Sequence, residues 1–425
     1  MHTILSRRFL LALTAGGLLF PVIPFADGSR PNFVLITVDD LGYGDLGCYD
    51  CRDINTPKLD GLARQGVRLT DFYIPTPAGT HTRCALLTGR YPQRIPNLLR
   101  TDDADHPTVE FPTTEITLAS ILHHYDYKTG WMGKWDLSNR IESGPHRHGF
   151  DEFCGFLGDP IGKNGKPVLF QNNITIHSDE HLTDWITEQS IGFLDRNAKS
   201  NFMLCVAYHA SHWPSQTPDG KEIQLPADDW SQAGDRKTYT CAVERIDRGI
   251  GGILQKLHQK GLKENTFVIF SGNNGGGPWS RNAPLSGQHT ELRESGIRVP
   301  CILRWPKRLP ERRTSTQTVM MMDVAAMILS AAEILQPRRL DGFDILPYLG
   351  GEREEIERTF VWRSDSGNQK ALRWGKWKWL HDGGNDYLFN LEEDMAEEQN
   401  VKDRFFDILF LLKDIYGKWE QAMAF

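Results

Sequence analysis

Residues 32–38 read NFVLITV, a largely apolar run with no charge and no helical period. Runs of this length mark strands buried on both faces, as in parallel sheets covered by helices. NFMLCVAY (201–208), NTFVIF (265–270) and VPCILRW (299–305) carry the same signature. Helical periodicity separates them. Thr56-Pro57 offers a cap and a first-turn proline ahead of Leu59, Leu62 and Ala63. ITLASILHHY (116–125) reads as a helix, and Ala242, Ile246, Ile250, Ile253, Leu254 and Leu257 share one face of a longer one. VMMMDVAAMILSAA (319–332) predicts a further helix. This alternation predicts an α/β fold with a mostly parallel sheet sandwiched by helices. Past Gln336-Pro337 the pattern shifts to short strand-like pieces, KALRWGKWKWL and DYLFNL, and a closing helix near Asp403–Ala424. The reading is a large domain over 27–336 and a smaller C-terminal α+β domain over 337–425.

Composition narrows the function. The chain has 425 residues and a formal net charge of −7 with no basic block, which argues against a nucleic-acid partner. At the N-terminus, Arg7-Arg8 precede an apolar run from Phe9 to Leu19, followed by turn residues near Ala26. Residues 1–26 therefore read as an export signal, with a twin-arginine look, too short and too broken by Gly and Pro to span a bilayer. An uncleaved anchor is the alternative, because Pro24-Phe25-Ala26 is a poor A-x-A site. The expectation is a periplasmic or extracellular protein with no membrane association once the signal is removed. Seven cysteines spread over this length are not a disulfide framework. Cys48 and Cys51 form a C-x-x-C without a second pair to complete a zinc site, which leaves a local disulfide or two free thiols.

Three stretches carry candidate chemistry. The strand 32–38 runs into Asp39-Asp40 and LGYGDLG, and NTFVIF runs into Ser271-Gly272-Asn273-Asn274. Carboxyl ends of parallel strands are where such folds place ligands. Adjacent carboxylates repel, and a divalent cation neutralises them; carboxylate and amide oxygens suit calcium or magnesium. Asn273-Asn274 alone is a turn signal, but with Asp39 and Asp40 it makes an oxygen cage. The third stretch, PTPAGTHTRCALLTGRYP (75–92), is a loop of small and polar residues that enters a helix at Arg83. Such a loop usually carries a nucleophile at the helix mouth, yet the candidate position is Gly79, which has no side chain.

In this order and spacing, the motifs resemble the sulfatase family, within the alkaline-phosphatase-like superfamily. The resemblance covers nearly all of the mature chain: PNFVLITVDDLGYGDLGCY, R-x-x-L-L-T-G-R-Y-P at Arg83–Pro92, GKWDL (133–137), HGFDEF (148–153), SHWP (211–214), ESGIRVP (294–300) and the tail KALRWGKWKWLHDGGNDYLFNLEED. It implies a sulfuric ester hydrolase with a divalent cation, calcium ahead of magnesium. In the family a Cys or Ser heading C/S-x-P-S-R is oxidised to formylglycine. One hydroxyl of the hydrated aldehyde attacks the ester sulfur, and the other helps expel sulfate. Three Asp and an Asn hold the metal, while Arg, Lys and His clamp the sulfate. Residue by residue, Asp39 and Asp40 match the first two metal ligands and Asn274 the asparagine. Arg83 matches the motif arginine, Lys134 the lysine of G-K-W-H-L, and His212 the histidine of P-H-x-P.

The remaining positions depart. Gly79 stands where Cys or Ser is required, His81 replaces the motif proline, Asp136 replaces the histidine after G-K-W, and Asn273 replaces the third metal Asp. His289 falls where a sulfate-binding lysine is expected. No formylglycine can form at Gly79, and the lower charge of the cage weakens its hold on an ion. Three readings follow. The chain recognises sulfate esters, of glycans or other anionic esters, without formylglycine hydrolysis; or it hydrolyses sulfuric or phosphoric esters with another nucleophile, such as Thr80 beside the empty position; or it is a non-catalytic scaffold.

Overall fold

A computed structural model of the chain describes residues 30–95, 98, 110–158, 168–212, 235–335, 340–364 and 367–423. The expected signal over residues 1–26 and the expected domain boundary at Gln336-Pro337 lie outside them. Ten strands form the main sheet, in the order Arg313–Ser315, Val67–Leu69, Cys301–Arg304, Thr266–Gly272, Asn32–Val38, Phe202–Tyr208, Lys128–Trp135, Glu152–Leu157, Leu169–Gln171, Ile174–Ile176. The five from Thr266–Gly272 to Glu152–Leu157 are mutually parallel. Cys301–Arg304 runs antiparallel to both neighbours, and the two strands beyond Glu152–Leu157 also alternate in direction. The three central parallel strands, Thr266–Gly272, Asn32–Val38 and Phe202–Tyr208, are buried along their length, which is why they read as apolar runs.

Register brings the site together. Val38 lies level with Gly272 on one side and Tyr208 on the other. Gly133 lies level with Ala207, so Lys134 reaches the same row. Asp39, Lys134, His209 and Asn273 therefore leave neighbouring strands at one edge. Gly133 is required for this approach: its φ is +112°, and a Cβ would come 2.0 Å from the Ala207 carbonyl oxygen.

The long helix Arg236–Gln259 buries Ala242, Val243, Ile246, Ile250, Ile253 and Leu257. Its buried Asp247 accepts the backbone N–H groups of Lys58 (3.1 Å) and Leu59 (2.8 Å), so it satisfies the mouth of the helix Pro57–Arg64. Thr56 precedes that helix as expected but makes no side-chain cap; its hydroxyl turns to Asp60 at 3.1 Å. The helix expected over 319–332 is shorter. Val319–Met320 pairs with Phe72–Tyr73 as a strand, and helix begins at Asp323, whose carboxylate accepts Met320 N–H at 2.7 Å and pairs with Arg358.

The C-terminal part is a four-stranded antiparallel sheet, Thr359–Arg363, Lys370–Trp374, Trp377–Asp382 and Asn385–Asn390. The helix Phe406–Met423 packs Leu409, Leu412 and Tyr416 onto its Val361, Leu372, Trp379 and Leu388. A buried ionic seam joins the two sheets. Asp71 pairs with Arg298 (2.9 Å) and Arg373 (2.7 Å), and Lys378 lies 2.9 Å from both Glu294 and Glu397. Glu294 and Arg298 come from the ESGIRVP stretch. Removing one partner of such a seam leaves a buried charge and costs roughly 3–5 kcal/mol.

Candidate active site

At the carboxyl edge of the parallel strands lies a cavity of about 430 Å³. Asp39, Asp40, Gly79, Thr80, Lys134, His212, Asn274 and His289 line it, as do Asp136, Thr290 and Ser364. Asn273 is fully buried beside it.

The helix Gly79–Thr88 opens at the cavity, and Arg83 lies one turn inside with no exposed surface. Its guanidinium bridges two carboxylates, Nη2 to Asp39 Oδ1 and Nη1 to Asp136 Oδ2, each at 2.6 Å. Lys134 Nζ donates to the other oxygen of Asp39 at 3.1 Å and lies 4.0 Å from Asp136. Asn273 Nδ2 also donates to Asp39 Oδ1, at 3.0 Å. Burial pushes the Asp39 carboxyl up, but Arg83 and Lys134 override it and hold the group well below the usual carboxylate range. Burial alone would lower the Arg83 guanidinium, yet Asp136 and Asp39 together raise it. Both groups are therefore firmly charged, and two carboxylates, Asp39 and Asp136, share two cations.

Asp40 sits at φ 53°, a left-handed conformation that Asp tolerates better than most residues. Its carboxylate accepts from Asn274 Nδ2, and its own N–H reaches Asn274 Oδ1 at 3.4 Å. His212 stacks on His209 with ring centroids 4.8 Å apart. Burial pushes His209 down to about 3, so its imidazole is neutral; Nδ1 lies 3.9 Å from Asp39 Oδ2, too far for a hydrogen bond.

The position of Gly79 is filled by a neighbour. A Cβ built there would lie 2.6 Å from Asn273 Nδ2, 3.4 Å from Arg83 Nη1 and 3.5 Å from Asn274 Oδ1. The Asn273 amide thus occupies the space a side chain at residue 79 would need. Thr80, the neighbouring hydroxyl, donates to Asp136 Oδ2 at 3.2 Å. Asp136 consequently receives the cations that could otherwise meet a bound anion.

Among the described residues, no cluster of three or more His, Cys, Asp or Glu side chains is placed to hold a metal ion. The oxygen donors at the strand ends are two carboxylates and two amides, hard ligands of the kind calcium and magnesium take. Asn273 Oδ1 is buried without a hydrogen-bond partner, the acceptor such an ion would satisfy. The set fits a divalent cation in kind while carrying little charge.

The cavity gathers Asp39, Asp40, Gly79, Thr80, Lys134, His212, Asn274 and His289, all of which the sequence nominated, with Arg83 and Asn273 buried against it. Three neighbours escaped. His209 follows the strand Phe202–Tyr208 directly, and the strand-end rule that found Asp39 would have found it. Thr290 and Ser364 carry no motif; Ser364 follows a strand of the small sheet, so the C-terminal part contributes to the pocket.

An α/β fold with a second antiparallel sheet and this strand-end constellation defines a sulfatase-type architecture. The sulfatase family model matches residues 31–334, and that for the N-sulphoglucosamine sulphohydrolase C-terminal region matches residues 290–405. The chain belongs to the sulfatase family. It is 32% identical to N-acetylgalactosamine-6-sulfatase of Canis lupus familiaris, over 86% of this chain and 75% of that protein. It is 28% identical to an uncharacterized sulfatase, YdeN, of Escherichia coli K12, over 81% and 70%. The crystal structure of Ps i-CgsB in complex with k-i-k-neocarrahexaose superposes with a TM-score of 0.82 at 27% identity, covering 92% of this chain and 93% of that one. Among the described residues, no helix is long and apolar enough to cross a membrane.

Proposed function

We propose that this sulfatase-family chain recognises sulfate esters of glycans in the strand-end cavity, at a divalent-cation site, without formylglycine-dependent hydrolysis. The observation that carries this reading is at residue 79. No β-carbon is present to be oxidised, and the Asn273 amide stands where one would be. Family membership and the oligosaccharide named for Ps i-CgsB support sulfated glycans as the ligand class. Asp39, Asp40, Asn273 and Asn274 would hold the cation, calcium ahead of magnesium, and it would supply positive charge toward a sulfate oxygen. With fewer charged ligands than the family pattern, the ion binds weakly. Arg83 orients Asp39 and Asp136, while Lys134, His212 and His289 face the ester. The reading of residues 1–26 as an export signal supports a location outside the cytoplasm, in the periplasm or beyond. Calorimetric titration with sulfated and desulfated oligosaccharides, with calcium or with chelator, tests the reading. Sulfate-dependent binding strengthened by calcium is expected; equal binding of both forms would refute it.

A second reading rests on Thr80, whose hydroxyl lines the same cavity and donates to Asp136. An ester hydrolase using Thr80 as nucleophile needs a base beside it, and the carboxylate it donates to, Asp136, is already engaged by Arg83 at 2.6 Å. In a broad ester screen, Thr80→Ala abolishes any turnover under this reading; surviving turnover removes Thr80 from it.

A further inference from the structure

A second cavity, of about 410 Å³, lies where the helices Pro57–Arg64 and Arg236–Gln259 meet the strand Cys301–Arg304. Lys58, Gln65, Gln255, His258, Lys263 and Arg304 line it, and none of its lining residues is acidic. That is an unusual wall in a chain of net charge −7. Arg304 is only 2% exposed. Its Nη2 donates to the Lys263 carbonyl oxygen at 3.2 Å, and its Nε is buried with no partner. Among the described residues, no carboxylate comes within ion-pair distance of Arg304; Glu264 and Glu311 act on it only from further away. Lys58 and Lys263 form no ion pair among the described residues either. Every other deeply buried arginine described above is matched, Arg83 to Asp39 and Asp136, Arg298 and Arg373 to Asp71.

A buried guanidinium without a counter-charge is costly, and the cost is removed when an anion completes the site. Gly251 makes room for the Lys58 stem to lie against the long helix: a Cβ there would lie 2.7 Å from Lys58 Cγ. Lys58, Gln255 and His258 are exposed, so the cavity communicates with solvent. Guanidinium, ammonium and amide N–H groups converging from several sides suit the oxygens of a tetrahedral anion. The site is separate from the strand-end pocket and shares no lining residue with it. Arg304 lies level with Val268, four residues before Gly272 on the adjoining strand, roughly 13 Å back along the sheet.

We propose that this cavity is a second oxyanion-binding site, taking a sulfate or phosphate group through Arg304, Lys58 and Lys263. It stands independently of what the strand-end pocket does. The test titrates the full chain with inorganic sulfate, inorganic phosphate and a sulfated disaccharide, following heat and the 15N resonance of Arg304 Nε–H. The chain should bind at least one of these with a shift of that resonance. Lys58→Ala/Lys263→Ala, which changes side chains of limited burial, should weaken binding about tenfold or more per cation removed. Tighter binding of the disaccharide than of inorganic sulfate assigns the group to a glycan, and preference for phosphate assigns it to a phosphorylated solute. Arg304→Met should abolish the anion-dependent rise in Tm and melt no lower than the parent in anion-free buffer. Failure of all three probes to bind, binding unchanged in the double variant, or an unmoved Arg304 resonance would overturn the proposal.

Discussion

Gly79→Ala probes the filled nucleophile position directly. The added methyl would lie 2.6 Å from Asn273 Nδ2, so the amide must leave its 3.0 Å bond to Asp39 Oδ1. A hydrogen bond to a charged group contributes about 1.5–3 kcal/mol. Replacing glycine in a helix returns up to about 1 kcal/mol, although residue 79 is the first helical position. The expected net cost is about 1–2 kcal/mol. In an Asn273→Ala background the obstruction is gone, and the same change should be neutral or stabilise by about 0.5–1 kcal/mol. The four proteins of this cycle, compared by urea unfolding with m-values held in common, should show a coupling of about 1.5–3 kcal/mol. If Gly79→Ala costs the same in both backgrounds, Asn273 does not occupy that space and the reasoning is wrong.

Two further outcomes follow from the same contacts. Asp136→Asn takes a carboxylate away from Arg83 and Lys134, so calorimetry in the Lys58→Ala/Lys263→Ala background should find inorganic sulfate bound about tenfold more tightly at the strand-end pocket; unchanged affinity would mean Asp136 does not compete with the anion. His148 packs against Phe111 and Trp135, and burial pushes its imidazole from 6.5 down to about 4. Between those values the unfolded chain binds a proton that the folded chain does not, so His148 withdraws stability as pH falls through that window. Unfolding free energies measured from pH 7 to pH 4 should fall less steeply in His148→Phe, and an unaltered slope would exclude this source.

The sequence yielded most where one physical rule governs a whole element. The runs 32–38, 201–208 and 265–270 are buried on both faces and carry no competing signal, so they read directly as central parallel strands. The strand Lys128–Trp135 was not legible: KTGWMGKW has two glycines and two lysines, and its burial depends on glycines that fit against Phe193 and the Ala207 carbonyl. The start of helix at Asp323 was hidden because the ion-pair partner of its side chain, Arg358, lies far along the chain. At the site, Asp39, Asp40, Arg83 and Lys134 stood in motifs, whereas the engagement of Asp136 by Arg83 and Thr80 requires the end of one strand to meet the mouth of a helix far from it in the sequence. The missing side chain at residue 79 was visible in the sequence; that Asn273 fills its place is a fact of packing.

The most direct test measures sulfate release from aryl sulfates and sulfated oligosaccharides by the chain produced alongside a formylglycine-generating enzyme, with divalent ions and after chelation. The account predicts binding without release under either condition. Release of sulfate that disappears on chelation would contradict it.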